Sequence, residues 1–260
     1  MEASSHNHDE YLLEVRGLSM RYGQRLIQEN LNFHIFPGEV FIIMGGSGCG
    51  KSTLLYHLIG LLRPYTGEIL LDGQNLWEQD SEQRARLMRQ LGFLYQKAGL
   101  WSSMTLAENI ALPLREYSNY SESELRELCE FKLSLVGLAG FGHYYPAELS
   151  GGMQKRAGLA RAIALDPKIL FFDEPSAGLD PASAARLDDL ILELRDSLKA
   201  TIVVVTHELA SIYEIADRAI FLDAESKTIS ASGNPKELRK TCTDPRVREF
   251  LTRAGKLEGF

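Results

Sequence analysis

The run Gly45-Gly46-Ser47-Gly48-Cys49-Gly50-Lys51-Ser52 carries the sharpest chemical signal in the sequence. It satisfies the pattern G-x-x-x-x-G-K-[ST]. Glycines at these positions let the backbone bend until successive N–H groups turn inward onto phosphate oxygens. A helix opening near Lys51 adds the positive end of its dipole. Lys51 is expected to reach the β- and γ-phosphates of a nucleotide, the Ser52 hydroxyl to ligate Mg²⁺, and Thr53 to continue the phosphate-facing turn. Cys49 reads as a small filler in the loop, with redox sensing as the alternative.

Two further constellations extend that chemistry. Ile169-Leu170-Phe171-Phe172 is an apolar run ending in Asp173 and Glu174. Asp173 is suited to hold Mg²⁺ through water, and Glu174 to position the attacking water as general base. Leu149-Ser150-Gly151-Gly152-Met153 precedes the helical run Lys155–Leu165 and makes a second anion-binding device from backbone N–H groups and a dipole end. Two acids after a strand usually mark a solvated loop, and a Ser-Gly-Gly turn is commonplace. Two loops fit for phosphate in one chain are not.

These residues need a scaffold, and the hydrophobic pattern supplies one of α/β class. Leu12–Val15, Leu31–Ile35, Val40–Met44 and Ile69–Leu71 read as strands, with Phe36-Pro37-Gly38 as a turn. Ser52–Leu62 turns helical and stops at Arg63-Pro64. From about residue 90 to 165 the pattern predicts a helical lobe, with a capping box at Ser121–Glu124. Strands resume at Ile169–Phe172, Thr201–Thr206 and Ala219–Leu222, apolar enough to be covered on both faces. Asp180–Lys199 reads as a crossover helix. Residues 1–10 read as a disordered polar tail, where His6 and His8 could take only a stray metal, and Asp244–Arg253 as a solvated surface helix.

Composition bounds the partners. The chain has 260 residues, is 45% hydrophobic and carries a formal charge of -7, which speaks against a nucleic-acid binder. Its 3 cysteines make no CxxC, so neither a disulfide framework nor a zinc site is expected. The longest apolar runs fall far short of the roughly 18–20 residues that cross a bilayer. Any membrane role therefore comes through a partner.

With these motifs in order, the chain resembles the ABC ATPase family along nearly its whole length. The resemblance implies a P-loop NTPase core with an N-terminal antiparallel β subdomain and an inserted helical lobe. It implies one ABC ATPase domain over residues 11–232 and a C-terminal helical extension over 233–260. Tyr22 then looks like the aromatic residue that stacks on adenine. Gln96 looks like the glutamine that senses Mg²⁺ and links the lobe to the membrane partner. Asp180 looks like the D-loop aspartate, and His207 like the histidine that contacts the γ-phosphate. Read alone, Tyr22 is equally a surface aromatic, Gln96 a strand-end amide, Asp180 a helix cap and His207 a structural histidine. Ser150, Gly151 and Gly152 match the family signature, but Met153 stands where glutamine is commonest and cannot donate an amide hydrogen bond.

The family implies ATP and Mg²⁺ as cofactors, and a homodimer with two composite sites. It also implies permease subunits as partners and a place on the cytoplasmic face of the inner membrane. Glu148–Ala157, Leu159–Ala164, Phe172–Pro175 and Asp244–Leu251 are similar to the ATPases of MCE-domain lipid transporters, the Mla phospholipid system among them. That similarity implies an MCE-domain protein and a small cytoplasmic accessory subunit as further partners, and no nucleic acid. The segment Gln96–Asn109, with Leu100, Trp101 and Met104, is expected to receive a permease helix. Rival readings are an ATPase for lipoprotein release or solute uptake, a non-transport ABC ATPase, and a P-loop kinase or GTPase. The stretch between Lys51 and Ser150 leaves no room for the long heptad arms of repair ATPases.

Overall fold

The computed structural model describes residues 11–252; residues 1–10 and 253–260, and so His6, His8 and the end of the expected C-terminal extension, lie outside them. In chain order the elements are β1 (Leu13–Tyr22), β2 (Arg25–Ile35), β3 (Val40–Gly45), α1 (Lys51–Leu58), β4 (Thr66–Leu71), β5 (Gln74–Asn75), α2 (Ser81–Met88), β6 (Leu91–Leu94), α3 (Leu106–Tyr117), α4 (Glu122–Leu135), α5 (Gly151–Ala162), β7 (Ile169–Asp173), α6 (Pro181–Leu198), β8 (Thr201–Val205), α7 (Leu209–Ile215), β9 (Arg218–Leu222), β10 (Ile229–Gly233), α8 (Pro235–Thr241) and α9 (Pro245–Thr252). The chain divides into two units, Met1–Met88 with Asp217–Phe260, and Arg89–Ala216.

In the first unit, alternation on β1 sends Leu13, Val15, Leu18 and Met20 into the core. It pairs antiparallel with β2 and β4, and β5 completes a sheet of order β2-β1-β4-β5. Every residue of β3 is buried. That suits a strand in parallel register with β9, from Phe41 opposite Arg218 to Gly45 opposite Leu222. Strand β10 adds antiparallel to β9.

The C-terminal helix α9 corrects the expectation of a solvated surface helix. Val247 and Leu251 are both 0% exposed, and the Phe250 ring lies 5.3 Å from that of Phe221 on β9. Arg246 adds an ion pair to Asp223 at 2.6 Å. Three apolar residues at helical spacing make the stripe that docks the helix; the intervening charges hid it in the sequence. Leu251→Ala should therefore lower the unfolding free energy by about 2–4 kcal/mol. A solvated helix would lose under about 0.5 kcal/mol, and denaturant titration separates the two.

In the second unit β6, β7 and β8 run parallel, with Ile169 opposite both Leu91 and Thr201. All residues of β7 and β8 are buried, as their unbroken apolar runs require. The segment expected to be helical from about residue 90 instead opens with strand β6, and its helices begin at Leu106. β6 escaped the pattern because it is short and holds Gly92. A Cβ there would meet Ala162 O at 2.3 Å and Leu170 Cδ2 at 2.6 Å, so close packing, not β propensity, selects the residue. Helix α4 starts with the expected capping box of Ser121 and Glu124, and α3 starts with a second one of Thr105 and Glu108.

Candidate active site

The phosphate loop belongs to the first unit. Strand β3 ends at Gly45, whose φ is 151° and where a Cβ would sit 2.5 Å from Leu222 O. Only glycine fits that approach of two backbones. The chain then turns through Gly46, Ser47 and Gly48, all exposed, and enters α1 from Gly50. Among the described residues no side-chain hydrogen bond caps the start of α1, and uncapped helix N–H groups suit an anion. Lys51 Nζ donates to Gly45 O and Gly46 O at 3.0 Å each. It forms no ion pair with any described residue. An ammonium held by carbonyls alone is a charge awaiting an anionic partner. Ser52 and Thr53 follow, half-buried, on the first turn of α1. Cys49 is buried, and burial raises its thiol pKa, which weighs against redox sensing. Tyr22 ends β1 at 61% exposure, as a base-stacking ring would be.

The acidic strand end belongs to the second unit. Asp173 closes β7 with only 6% exposure. Glu174 follows with φ of 49°, a backbone that non-glycine residues rarely adopt. Its N–H donates to Val205 O at 2.9 Å, which fixes it against β8. His207 Nδ1 lies 2.9 Å from both carboxylate oxygens of Glu174. A carboxylate held beside an imidazole at a strained residue suits a group that accepts a proton.

Lys155 was not singled out in the sequence. It is 6% exposed, and its Nζ donates to Gln96 O and, at 3.4 Å, to Glu174 O. One buried ammonium thus ties the backbones of two assigned residues together, while the Gln96 side chain stays exposed. Burial lowers the Lys155 pKa, and Glu174 and Asp173 act to raise it. No spacing rule points to this role; the only cue was a lysine among Ala and Gly residues on α5.

The two remaining loops cap helices. The Ser150 hydroxyl accepts from Met153 N at 3.3 Å at the start of α5, with Gly151 exposed and Gly152 half-buried beside it. Asp180 accepts from Ser183 N at 3.0 Å at the start of α6. The amide missing at Met153 appears one position on: Gln154 Nε2 donates to Pro146 O at 3.0 Å and Leu149 O at 3.2 Å, bracing the loop before Ser150.

The matching family model is that of the ABC transporter, over residues 28–177. The chain belongs to the ABC transporter ATP-binding family: it is an ATP-hydrolysing transporter subunit that works with Mg²⁺. It is 42% identical to the probable ribonucleotide transport ATP-binding protein mkl of Mycobacterium leprae, over 92% of this chain and 68% of that protein. It is 40% identical to the intermembrane phospholipid transport system ATP-binding protein MlaF of Haemophilus influenzae, over 92% of this chain and 90% of that one. Among solved structures, the dimeric post-hydrolysis ATP-binding cassette MJ0796 bound to ADP and Pi superposes with a TM-score of 0.76 at 29% identity, covering 85% of this chain and 98% of that one.

Each unit carries hard oxygen donors of the kind Mg²⁺ takes. Ser52, Asp173 and Gln96 offer hard oxygens, and no cluster of three or more His, Cys, Asp or Glu among the described residues suits a softer ion. Magnesium at nucleotide sites takes few protein ligands because phosphates and water complete its shell.

Proposed function

We propose that the chain is the ATPase of an MCE-type phospholipid transporter, acting as a homodimer beneath a membrane-embedded permease. The observation that carries this reading is the match to MlaF, which extends over 92% of the chain and so well beyond the nucleotide motifs. The docked helix α9 supports it, because Asp244–Leu251 is a stretch in which the resemblance to Mla ATPases lies. No helix among the described residues is long and apolar enough to cross a membrane. Attachment to the cytoplasmic face of the inner membrane then falls to the permease.

In this reading Gly45–Thr53 cradle the triphosphate and Tyr22 stacks on adenine. Ser52, Asp173 and Gln96 would hold Mg²⁺, which would supply positive charge against the triphosphate. Glu174 orients the attacking water and takes its proton on the carboxylate, which His207 fixes while its exposed ring meets the γ-phosphate. Ser150, Gly151 and Gly152 of the second copy close on the same triphosphate with their N–H groups, and Asp180 lines that contact. ATP draws the copies together and hydrolysis releases them, switching the permease between two states.

The permease has a receptive surface. A groove of about 540 Å³ in the second unit is lined by Tyr95, Trp101, Leu112, Pro113, Tyr117 and Arg161, among others. Its rim is held firmly: buried Asn109 accepts from Trp101 N at 2.8 Å and donates to Trp101 O and Met104 O at 3.1 Å each. Exposed aromatic residues on a fixed rim suit an apolar helix end of a partner.

Affinity purification of the tagged chain from its own membranes is expected to bring down a permease and an MCE-domain protein. The reconstituted complex should move labelled phospholipid between vesicles only with ATP. Recovery of a solute-binding protein instead, or ATP hydrolysis without lipid movement, rejects the phospholipid reading while leaving the ATPase intact.

A further inference from the structure

Strand β2 carries a buried amide that the nucleotide chemistry above does not use. Gln28 is 0% exposed. Its Nε2 donates to Cys49 O at 2.7 Å and to Asp223 O at 2.9 Å. Both neighbours are carbonyls, so the –NH₂ end must face them and the amide orientation is forced. Its Oε1 is buried with no hydrogen-bond partner among the described residues. An apolar side chain of the same size would avoid that desolvation, so packing alone does not account for an amide here.

The grip on Cys49 has a directional consequence. A trans peptide is planar, and its C=O and N–H point in opposite directions. Drawing the Cys49 carbonyl down onto Gln28 turns the N–H of Gly50 the other way, away from the β2 side of the loop. Gly50 has φ of 100° and packs on that strand so tightly that a Cβ would reach Ile27 Cγ2 at 2.6 Å and Gln28 Cγ at 3.7 Å. Beside a glycine with this freedom, a peptide flip meets little steric resistance. Flipped, the unit would offer an anion a carbonyl oxygen in place of a donor. The second bond fixes the grip to a firm point. Asp223 follows β9, and its carboxylate accepts from Ser226 N at 2.7 Å and pairs with Arg246 of α9 at 2.6 Å.

We propose that Gln28 is a positioning residue of the phosphate loop: it holds the Cys49–Gly50 peptide in the orientation that aims the Gly50 N–H at bound phosphate. This rests on reading Gly45–Thr53 as the nucleotide loop. Gln28 touches neither nucleotide nor metal; it acts through the backbone it holds.

The test uses the purified full chain, a fluorescent ATP analogue, steady-state ATPase kinetics and thermal melting without nucleotide. Gln28→Met keeps length and bulk and removes both donors. The loss of one donor bond should raise the Kd for nucleotide and the KM for ATP roughly three- to tenfold. kcat should stay near the wild-type value, and the melting midpoint should fall modestly, because Cys49 O and Asp223 O lose their donor while the unpaired Oε1 is removed. Gln28→Glu faces the two carbonyls with lone pairs, so its affinity should fall further and recover as the pH is lowered until the carboxyl protonates and donates. An unchanged Kd in Gln28→Met overturns the proposal, as does a Kd change matched by an equal fall in kcat, which marks a general loosening of the site. Lys51→Ala run in parallel separates the two failures. If Lys51→Ala loses nucleotide while Gln28→Met binds normally, only the role of Gln28 falls. If Lys51→Ala binds as wild type, the loop assignment fails and this proposal with it.

Discussion

Glu174→Gln is expected to bind ATP like the parent chain and to turn it over about a thousandfold more slowly, in the range set by loss of a general base. The substitution keeps the side chain's shape but replaces one carboxylate oxygen with a nitrogen that cannot accept a proton. In the parent, His207 Nδ1 lies 2.9 Å from both oxygens of that carboxylate. Chemistry should stop while every contact to the triphosphate survives, so the ATP-bound dimer accumulates. Size-exclusion chromatography with and without ATP reads the dimer, and single-turnover quench reads the chemical step. Turnover within tenfold of the parent would remove Glu174 from its assigned role.

Lys51→Ala should act one step earlier, at binding. Among the described residues the Lys51 ammonium donates to the neutral carbonyls of Gly45 and Gly46. A phosphate replaces them with charge-assisted bonds worth about 1.5–3 kcal/mol each. Losing two such bonds weakens nucleotide binding by about a hundredfold or more. Stability should barely change, because no carboxylate is left buried without its cation. Calorimetric titration with ATP checks the affinity and circular dichroism checks the fold; an affinity within threefold of the parent would refute the assignment.

The scaffold was legible wherever burial on both faces forced long apolar runs. Val40–Met44, Ile169–Phe172 and Thr201–Thr206 came out as β3, β7 and β8 to within a residue or so, and the crossover helix as α6. Strands that lean on their neighbours were not legible. β6 has Gly92 at its centre, and β10 reads Ile-Ser-Ala-Ser-Gly, so neither has the composition of a strand without its partner. The Thr105–Glu108 capping box has the same form as the one recognised at Ser121, but it precedes a helix interrupted by Pro113, which masked the periodicity.

The candidate site divides along the same line. The residues that would touch nucleotide sit in short local motifs, so spacing alone exposes them. The residues that hold those motifs in shape reach across the sequence. Lys155 grips Gln96 and Glu174 at separations of 59 and 19 residues, and Gln28 grips Asp223 at a separation of 195. No local rule can find such partners, because their pairing exists only once the chain has folded.

The positive φ at Glu174 sets a bias on how this protein can be improved. Holding a carboxylate residue in that conformation costs about 1 kcal/mol, which glycine would not incur and asparagine would partly avoid. A selection for heat resistance alone would therefore favour those two residues at the position where hydrolysis depends on glutamate. Laboratory evolution of a hardier version should screen survivors for turnover at every round, since the easiest gain in robustness here is also the quickest route to an inert protein.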